Sequence, residues 1–286
     1  MGYCLGVIGG SGLYEAFEGA SGRREERVET PFGAPSDALY RGRLGATEVL
    51  FLPRHGRGHR VSPSEVNYRA NVAALKIAGA THVVAVSAVG SLREGVAPGD
   101  LVVVDQFIDL TKRRASTFFE GVAAAHVSFG DPVCPALAGA LADAAEAASG
   151  ARVHRRGTYV CMEGPQFSTR AESNLYRSWG CDVVGMTAMP EAKLAREAEL
   201  PYALVALCTD YDCWHGGHGD VSVEAVVAVL RKNVAAASRA VEALAARLPD
   251  PAQSPAHRAL EGAVMTAPSL LGAEARARLG FLRPFR

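Results

Sequence analysis

The stretch Thr81-His82-Val83-Val84-Ala85-Val86, running on into Ser87-Ala88-Val89-Gly90-Ser91, decides the fold class. Thr81 to Val86 is β-branched and apolar, the pattern of a central strand with both faces covered. Similar runs flank it. Tyr3–Ile8 stops at Gly9-Gly10-Ser11-Gly12, Glu48–Leu52 stops at Pro53, and Leu101–Val104 follows the turn Pro98-Gly99-Asp100. Val153–Cys161, the short Val183-Val184 core and Tyr202–Cys208 complete the set. Helical stretches fall between them: from near Ser64 to Gly79, then Pro135–Ala148, Ser168–Trp179, Met189–Leu200 and Val221–Leu248. This alternation predicts an α/β domain around a mostly buried sheet. Residues 21–43, charged and rich in Gly and Pro, predict loops or edge hairpins. After Pro249 the pattern loosens, and residues 249–286 are expected to cover the same domain or a neighbouring subunit.

The composition excludes some partners. The 286 residues suit one large domain or two modest ones, and 49% are apolar, enough for a sizeable core. Thirty basic and thirty acidic side chains cancel, which gives no support to a broad nucleic-acid-binding surface. No apolar run approaches a membrane span, and no basic segment precedes the first strand. The six cysteines lack zinc-knuckle or CxxC spacing, so free thiols in a reducing cytoplasm are expected.

Four loops that follow apparent strands can hold an anion. Gly9-Gly10-Ser11-Gly12 permits close approach of backbone N–H groups, although it lacks a dinucleotide fingerprint and a Walker lysine. Arg54-His55 sits among Arg57, His59 and Arg60, and arginine can grip phosphate through two parallel bonds. Histidine adds a directional donor. Ser87 and Thr187 each offer a hydroxyl beside backbone donors. Taken singly, these features read equally as a packing turn, a solvated basic turn and two turn hydroxyls. Their shared position is the informative part, because open sheets gather ligands at the carboxyl ends of their strands.

Two other loops carry a different chemistry. Glu163-Gly164-Pro165-Gln166-Phe167-Ser168-Thr169-Arg170 joins a strand to a helix. Phe167 there is either core or a stacking wall for a heterocycle. Thr209-Asp210-Tyr211-Asp212-Cys213-Trp214 ends another strand with two carboxylates. These acids can read the edge of a purine, hold a magnesium ion or cap the surface. The residues alone leave all three open.

Residues 6 to about 248 resemble the methylthioadenosine phosphorylases, in the trimeric branch of the purine nucleoside phosphorylase family. The resemblance rests on GVIGGSGLY (6–14), PRHGRGHRVSPSEVNYRANVAALK (53–76), SAVGSLRE (87–94), CMEGPQFSTRAE (161–172), VGMTAMPEAKLARE (184–197) and TDYDCW (209–214). It implies one catalytic α/β domain, residues 1–248, with a mixed, partly barrel-like central sheet flanked by helices, assembled as a homotrimer. It also implies phosphorolysis of a purine nucleoside, with inorganic phosphate as co-substrate and no cofactor or metal. By family likeness Ser11, Arg54, His55, Ser87, Ala88 and Thr187 bind phosphate. Phe167, Ser168, Met186, Asp210, Tyr211 and Asp212 bind the nucleoside, with Asp210 as catalytic acid. His126, Val223 and Val226 line the pocket for the 5′ substituent, which a neighbouring subunit completes.

Two features depart from the family pattern. Ser11 and Ser87 stand where several members carry threonine, with the hydroxyl kept. Trp214-His215-Gly216-Gly217-His218-Gly219-Asp220 is richer in glycine and histidine than the family pattern. A metal site from His215, His218 and Asp220 is the alternative to a loop at the pocket mouth. Competing functions are a 6-oxopurine nucleoside phosphorylase, a metal-dependent phosphohydrolase and a nucleotide-binding regulator without turnover. No family match is visible beyond about residue 250.

Overall fold

The computed structural model describes residues 2–10, 13, 20–216 and 223–285, with side chains except at 223–228. In chain order it forms β1 (Cys4–Gly9), β2 (Ser21–Glu26), β3 (Leu39–Leu44), β4 (Thr47–Pro53) and helix α1 (Tyr68–Ile77). β5 (His82–Ser91), β6 (Leu101–Val104) and β7 (Gln106–Asp109) precede α2 (Pro135–Ala148). Then come β8 (Val153–His154), β9 (Thr158–Cys161), α3 (Arg170–Ser178), β10 (Val183–Gly185), α4 (Glu191–Glu197) and β11 (Tyr202–Asp210). The long α5 (Val223–Ala245) and short α6 (Ala273–Leu279) follow.

All eleven strands belong to one mixed sheet, which its hydrogen bonds do not close into a barrel. The sheet forks at β5. One edge of β5 pairs in parallel with β11, from Val83 to Val89. The other edge pairs with β1 only as far as Ala85, and antiparallel β10 takes over at Gly90. Among the described residues, the Val86–Val89 edge between these two partners has no strand beside it. Sheet forking thus opens a notch at Ser87, in the middle of an otherwise buried strand.

Several boundaries moved. Helix α1 starts at Tyr68, not near Ser64, because the Asn67 side chain accepts from the Ala70 N–H and caps it there. Val153–Cys161 is two short strands, with Gly157 packed under Val102 where a Cβ would come within 2.7 Å of Cγ1. Thr169 and Glu172 form a capping box that starts α3. β7 carried no recognised sequence signal.

Residues beyond Pro249 pack on this same body. Leu260, Leu279 and Leu282 join the main core, and Phe281 meets Phe118 and Phe32 edge-on. Val264 bridges Ala125, and Arg283 lies 3.3 Å from Glu199. Among the described residues no helix is long and apolar enough to cross a membrane.

Glu197, buried on α4, accepts the Phe118 N–H at 2.8 Å. Burial outweighs that bond and pushes its carboxyl up to about 7. A raised carboxyl pKa means the folded chain holds its proton longer than the unfolded one. Its contribution to stability is therefore present at low pH and lost as pH climbs towards 7. Glu197→Gln keeps an acceptor for Phe118. It should stabilise the protein by about 1–3 kcal/mol near pH 8 and hardly at all near pH 4, read from thermal melts at both.

Candidate active site

A cavity of about 550 Å³ opens at the notch. Its lining includes Arg54, His55, Ser87, Ala88, Phe167, Met186, Thr187, Asp210 and Asp212. Nine of the residues singled out from sequence therefore share one wall, although the chain separates them by up to 158 positions.

Arg54 follows β4, held by its N–H to the Gly9 carbonyl at 2.8 Å. Its side chain is 1% exposed. Nε and Nη2 grip Glu191 at 2.9 and 3.1 Å, Nη1 reaches Val86 O at 3.0 Å, and Nη2 reaches Ile8 O at 3.4 Å. Tyr202 donates to the same glutamate at 3.0 Å. The guanidinium fork expected to grip phosphate is thus committed to Glu191. Four of five N–H bonds are used, so one Nη1 hydrogen is left for an anion.

His55 is buried, with Nδ1 2.8 Å from the Val61 carbonyl and its ring stacked on His59 at 4.4 Å. Burial, with Arg54 adjacent, pushes its pKa down to about 4. The ring is neutral at pH 7, and the carbonyl partner assigns the hydrogen to Nδ1. Nε2 is then an acceptor, not the donor expected from sequence, and suits the hydroxyl of hydrogen phosphate.

Ser87 Oγ lies 3.2 Å from Thr187 Oγ1 and 3.3 Å from Tyr159 OH, which in turn is 3.4 Å from Thr187 N. All three residues are buried. A Cβ on Gly185 would fall 2.0 Å from the Tyr159 hydroxyl, so this cluster requires glycine there. Ser11 lies outside the described residues.

Asp210 sits where β11 slips register against β5, between Cys208 and Asp210. Such irregularities re-aim a side chain. Its Oδ1 accepts Asp212 N at 2.8 Å and its Oδ2 accepts Thr209 Oγ1 at 2.6 Å. Burial nevertheless raises its pKa. Asp212 is raised too, by burial first and by the nearby Asp210 charge. Gly90 makes room for the pair, since a Cβ there would lie 3.0 Å from Asp210 Oδ1. Val86 meets Arg54 and Gly90 meets Asp210, four residues apart on one strand, roughly 13 Å.

Phe167 is half exposed at the cavity wall. Three expected residues, Ser168, Tyr211 and His126, do not join it. Ser168 is buried with Oγ 3.5 Å from Met162 Sδ, and it is Met162 that lines the cavity. Tyr211 stacks on His215 at 4.8 Å and meets Trp214 edge-on. His126 is exposed on its own chain, with its N–H on the Ala263 carbonyl. Val223 lies on α5 with Val226, but their side chains are outside the described set. On the same helix Leu230 and Val234 line the cavity. Among the described residues no three His, Cys, Asp or Glu side chains are arranged to hold a metal ion. His218 and Asp220 lie outside them.

Residues 5–246 match the family model of the phosphorylase superfamily. The chain belongs to that superfamily. It is 54% identical over 279 residues to the S-methyl-5′-thioadenosine phosphorylase of Geobacter sulfurreducens, covering 97% of each chain. With that of Rhodospirillum rubrum it shares 55% over 268 residues, 92% of this chain and 90% of the relative. A methylthioadenosine phosphorylase sourced from an antarctic soil metagenomic library superimposes with a TM-score of 0.92, at 47% identity and 99% coverage of both chains. The Schistosoma mansoni methylthioadenosine phosphorylase in complex with adenine gives 0.82, at 40% identity over 85% of this chain and 91% of the other.

Sequence reading assigned no role in this phosphorylase to Glu191, Tyr159, Thr209, Leu230 or Val234. Glu191 resembles any acid opening an amphipathic helix, and only its burial marks it. Leu230 and Val234 are four residues apart and continue the same spacing from Val226, which family likeness alone had singled out.

Proposed function

We propose that the chain cleaves 5′-methylthioadenosine with phosphate, giving adenine and 5-methylthioribose 1-phosphate, and is thus a pentosyltransferase. One observation carries this reading. A single cavity is lined by a buried arginine and two hydroxyls, and also by two acids of raised pKa beside an aromatic ring. The 54% identical relative of the same length supports the same substrate.

Phosphate, held by Arg54, Ser87, Ala88 and Thr187 with Ser11 from the glycine turn, attacks C1′ as the bond to N9 breaks. Positive charge develops on the sugar, and the phosphate charge stabilises it. Electrons left on adenine are neutralised when protonated Asp210 gives its proton to N7. Hydrogen phosphate loses one proton to solvent as the product dianion forms, and His55 Nε2, held neutral, accepts the hydrogen bond of its hydroxyl before that. That release balances the proton given to the base. No side chain attacks the sugar, and no cofactor takes part.

The apolar Leu230 and Val234, continuing the face of Val223 and Val226, favour methylthio over hydroxyl at C5′. Such a pocket discriminates by only about 1–3 kcal/mol, so adenosine is a slower substrate. The homotrimer of the family supplies the remaining pocket wall, and the cytoplasm is its place. Release of free base is the test, measured with methylthioadenosine, methylthioinosine, adenosine, inosine and 5′-chloroadenosine, each with and without phosphate. Phosphate-dependent adenine release, fastest from methylthioadenosine, is expected. Base release indifferent to phosphate would overturn the reaction class, and faster turnover of another nucleoside would reassign the substrate.

A further inference from the structure

Arg114 does not line the cavity, yet it ties together the loops that build it. Its side chain is 1% exposed. Nη1 lies 2.6 Å from the Met186 carbonyl, 2.7 Å from the Met189 carbonyl and 3.1 Å from Tyr68 OH. Nη2 reaches the Glu163 carbonyl at 2.7 Å, and Nε reaches Glu163 Oε1 at 3.2 Å. The guanidinium also lies over the Tyr68 ring, 5.4 Å from its centre.

Glu163 extends the network. It accepts from the Ser64 hydroxyl and from Lys112 N at 2.5 Å. Burial opposes its charge, but the Ser64 and Lys112 bonds and the Arg114 charge prevail and hold it at about 2. The bridge therefore stays ionic at any pH where the enzyme works. Four chain segments meet on it: the loop before α1, the loop after β7, the β9–α3 loop that bears Phe167, and the β10–α4 loop that bears Met186 and Thr187.

A buried arginine facing three carbonyls and one carboxylate is costly unless its geometry is fixed. Its consequence is local and directional. With the Met186 carbonyl bound to Arg114, the backbone polar group that Met186 has left for a ligand is its own N–H. Thr187 N, one residue on, is turned towards Tyr159 OH. We propose that Arg114, with Glu163, is a positioning residue that sets how the Met186–Thr187 backbone meets the sugar hydroxyls. The inference rests on the phosphorolysis reading.

Lysine keeps the charge at 114 but cannot span the Met186, Met189 and Glu163 carbonyls together. The test compares methylthioadenosine with its 2′-deoxy and 3′-deoxy counterparts in wild type, Arg114→Lys and Glu163→Gln, alongside thermal midpoints. Arg114→Lys should lower kcat/KM for methylthioadenosine about 10²-fold, the usual effect of an ångström-scale misplacement. It should lower the deoxy substrates much less, so that the ribo-to-deoxy preference shrinks at least fivefold (about 1 kcal/mol). Glu163→Gln should show the same shrinkage at smaller amplitude, and it decides the matter if Arg114→Lys does not fold. Equal losses on ribo and deoxy substrates overturn the inference, because they describe general loosening. Wild type that releases no adenine removes the phosphorolysis reading and this inference with it.

Discussion

Asp210→Asn is expected to lower kcat on methylthioadenosine by about 10²–10⁴-fold, the usual worth of a positioned proton donor. On methylthioinosine the loss should be far smaller, or turnover should rise. Both follow from the bonds around the side chain. Asp212 N and Thr209 Oγ1 hold its two oxygens, and Thr209 also lies 3.2 Å from the Val89 carbonyl. In the variant the amide oxygen keeps Asp212, while Thr209 turns its hydroxyl to Val89 and accepts from the amide. The fold survives, and what is lost is the transferable proton. An amide pairs with a 6-oxopurine edge, which the acid does not. The pH dependence has a definite sign. Asp210 must be protonated to act, and burial raises its pKa. Wild-type turnover of adenine nucleosides should therefore fall as pH rises through that pKa, and the variant should lack this limb. Equal effects on both bases, or an unchanged pH profile, would remove Asp210 from the proton transfer.

Much of the fold was legible because its central strands are unambiguous. Thr81–Val86 and Tyr202–Cys208 have no polar alternation, and both form strands as expected; that they pair with each other is a finding of the structure. The fork was not legible. It depends on β1 ending at Gly9 while β5 continues to Ser91, and a local pattern carries no information about where a distant partner stops. Site residues divide the same way. Arg54, Thr187 and Asp210 stand at strand ends, a position that sequence reveals, whereas Ser87, expected in a loop after a strand, lies inside β5, which runs on to Ser91. Glu191 and Arg114 become special only through burial and pairing across long separations. A charged residue on a short helix or in a polar loop looks solvated until the fold buries it. His55 is the intermediate case, since its presence was readable but its acceptor role depends on the Val61 carbonyl six residues away.

Arg54→Met is expected to raise the phosphate KM strongly and lower kcat/KM for phosphate by about 10²-fold, the worth of a charged hydrogen bond in a dry site. The same change strips Glu191 of its buried partner and should destabilise the chain by about 3–5 kcal/mol. A single variant therefore confounds anion binding with folding. The double variant Arg54→Met/Glu191→Gln separates them. Glutamine removes the orphaned charge and still accepts from Tyr202, which lies 3.0 Å from Glu191 Oε1. The thermal midpoint should recover most of what Arg54→Met lost, because replacing both members of a buried pair is often close to neutral. Phosphate dependence should not recover, since the one Nη1 hydrogen left for the anion is still missing. Glu191→Gln alone supplies the remaining corner: it keeps that hydrogen but loosens the fork, so its phosphate KM should rise less than that of Arg54→Met. If phosphate KM recovers together with stability in the double variant, Arg54 is a structural cation and the anion is held by Ser87, Thr187 and the backbone alone.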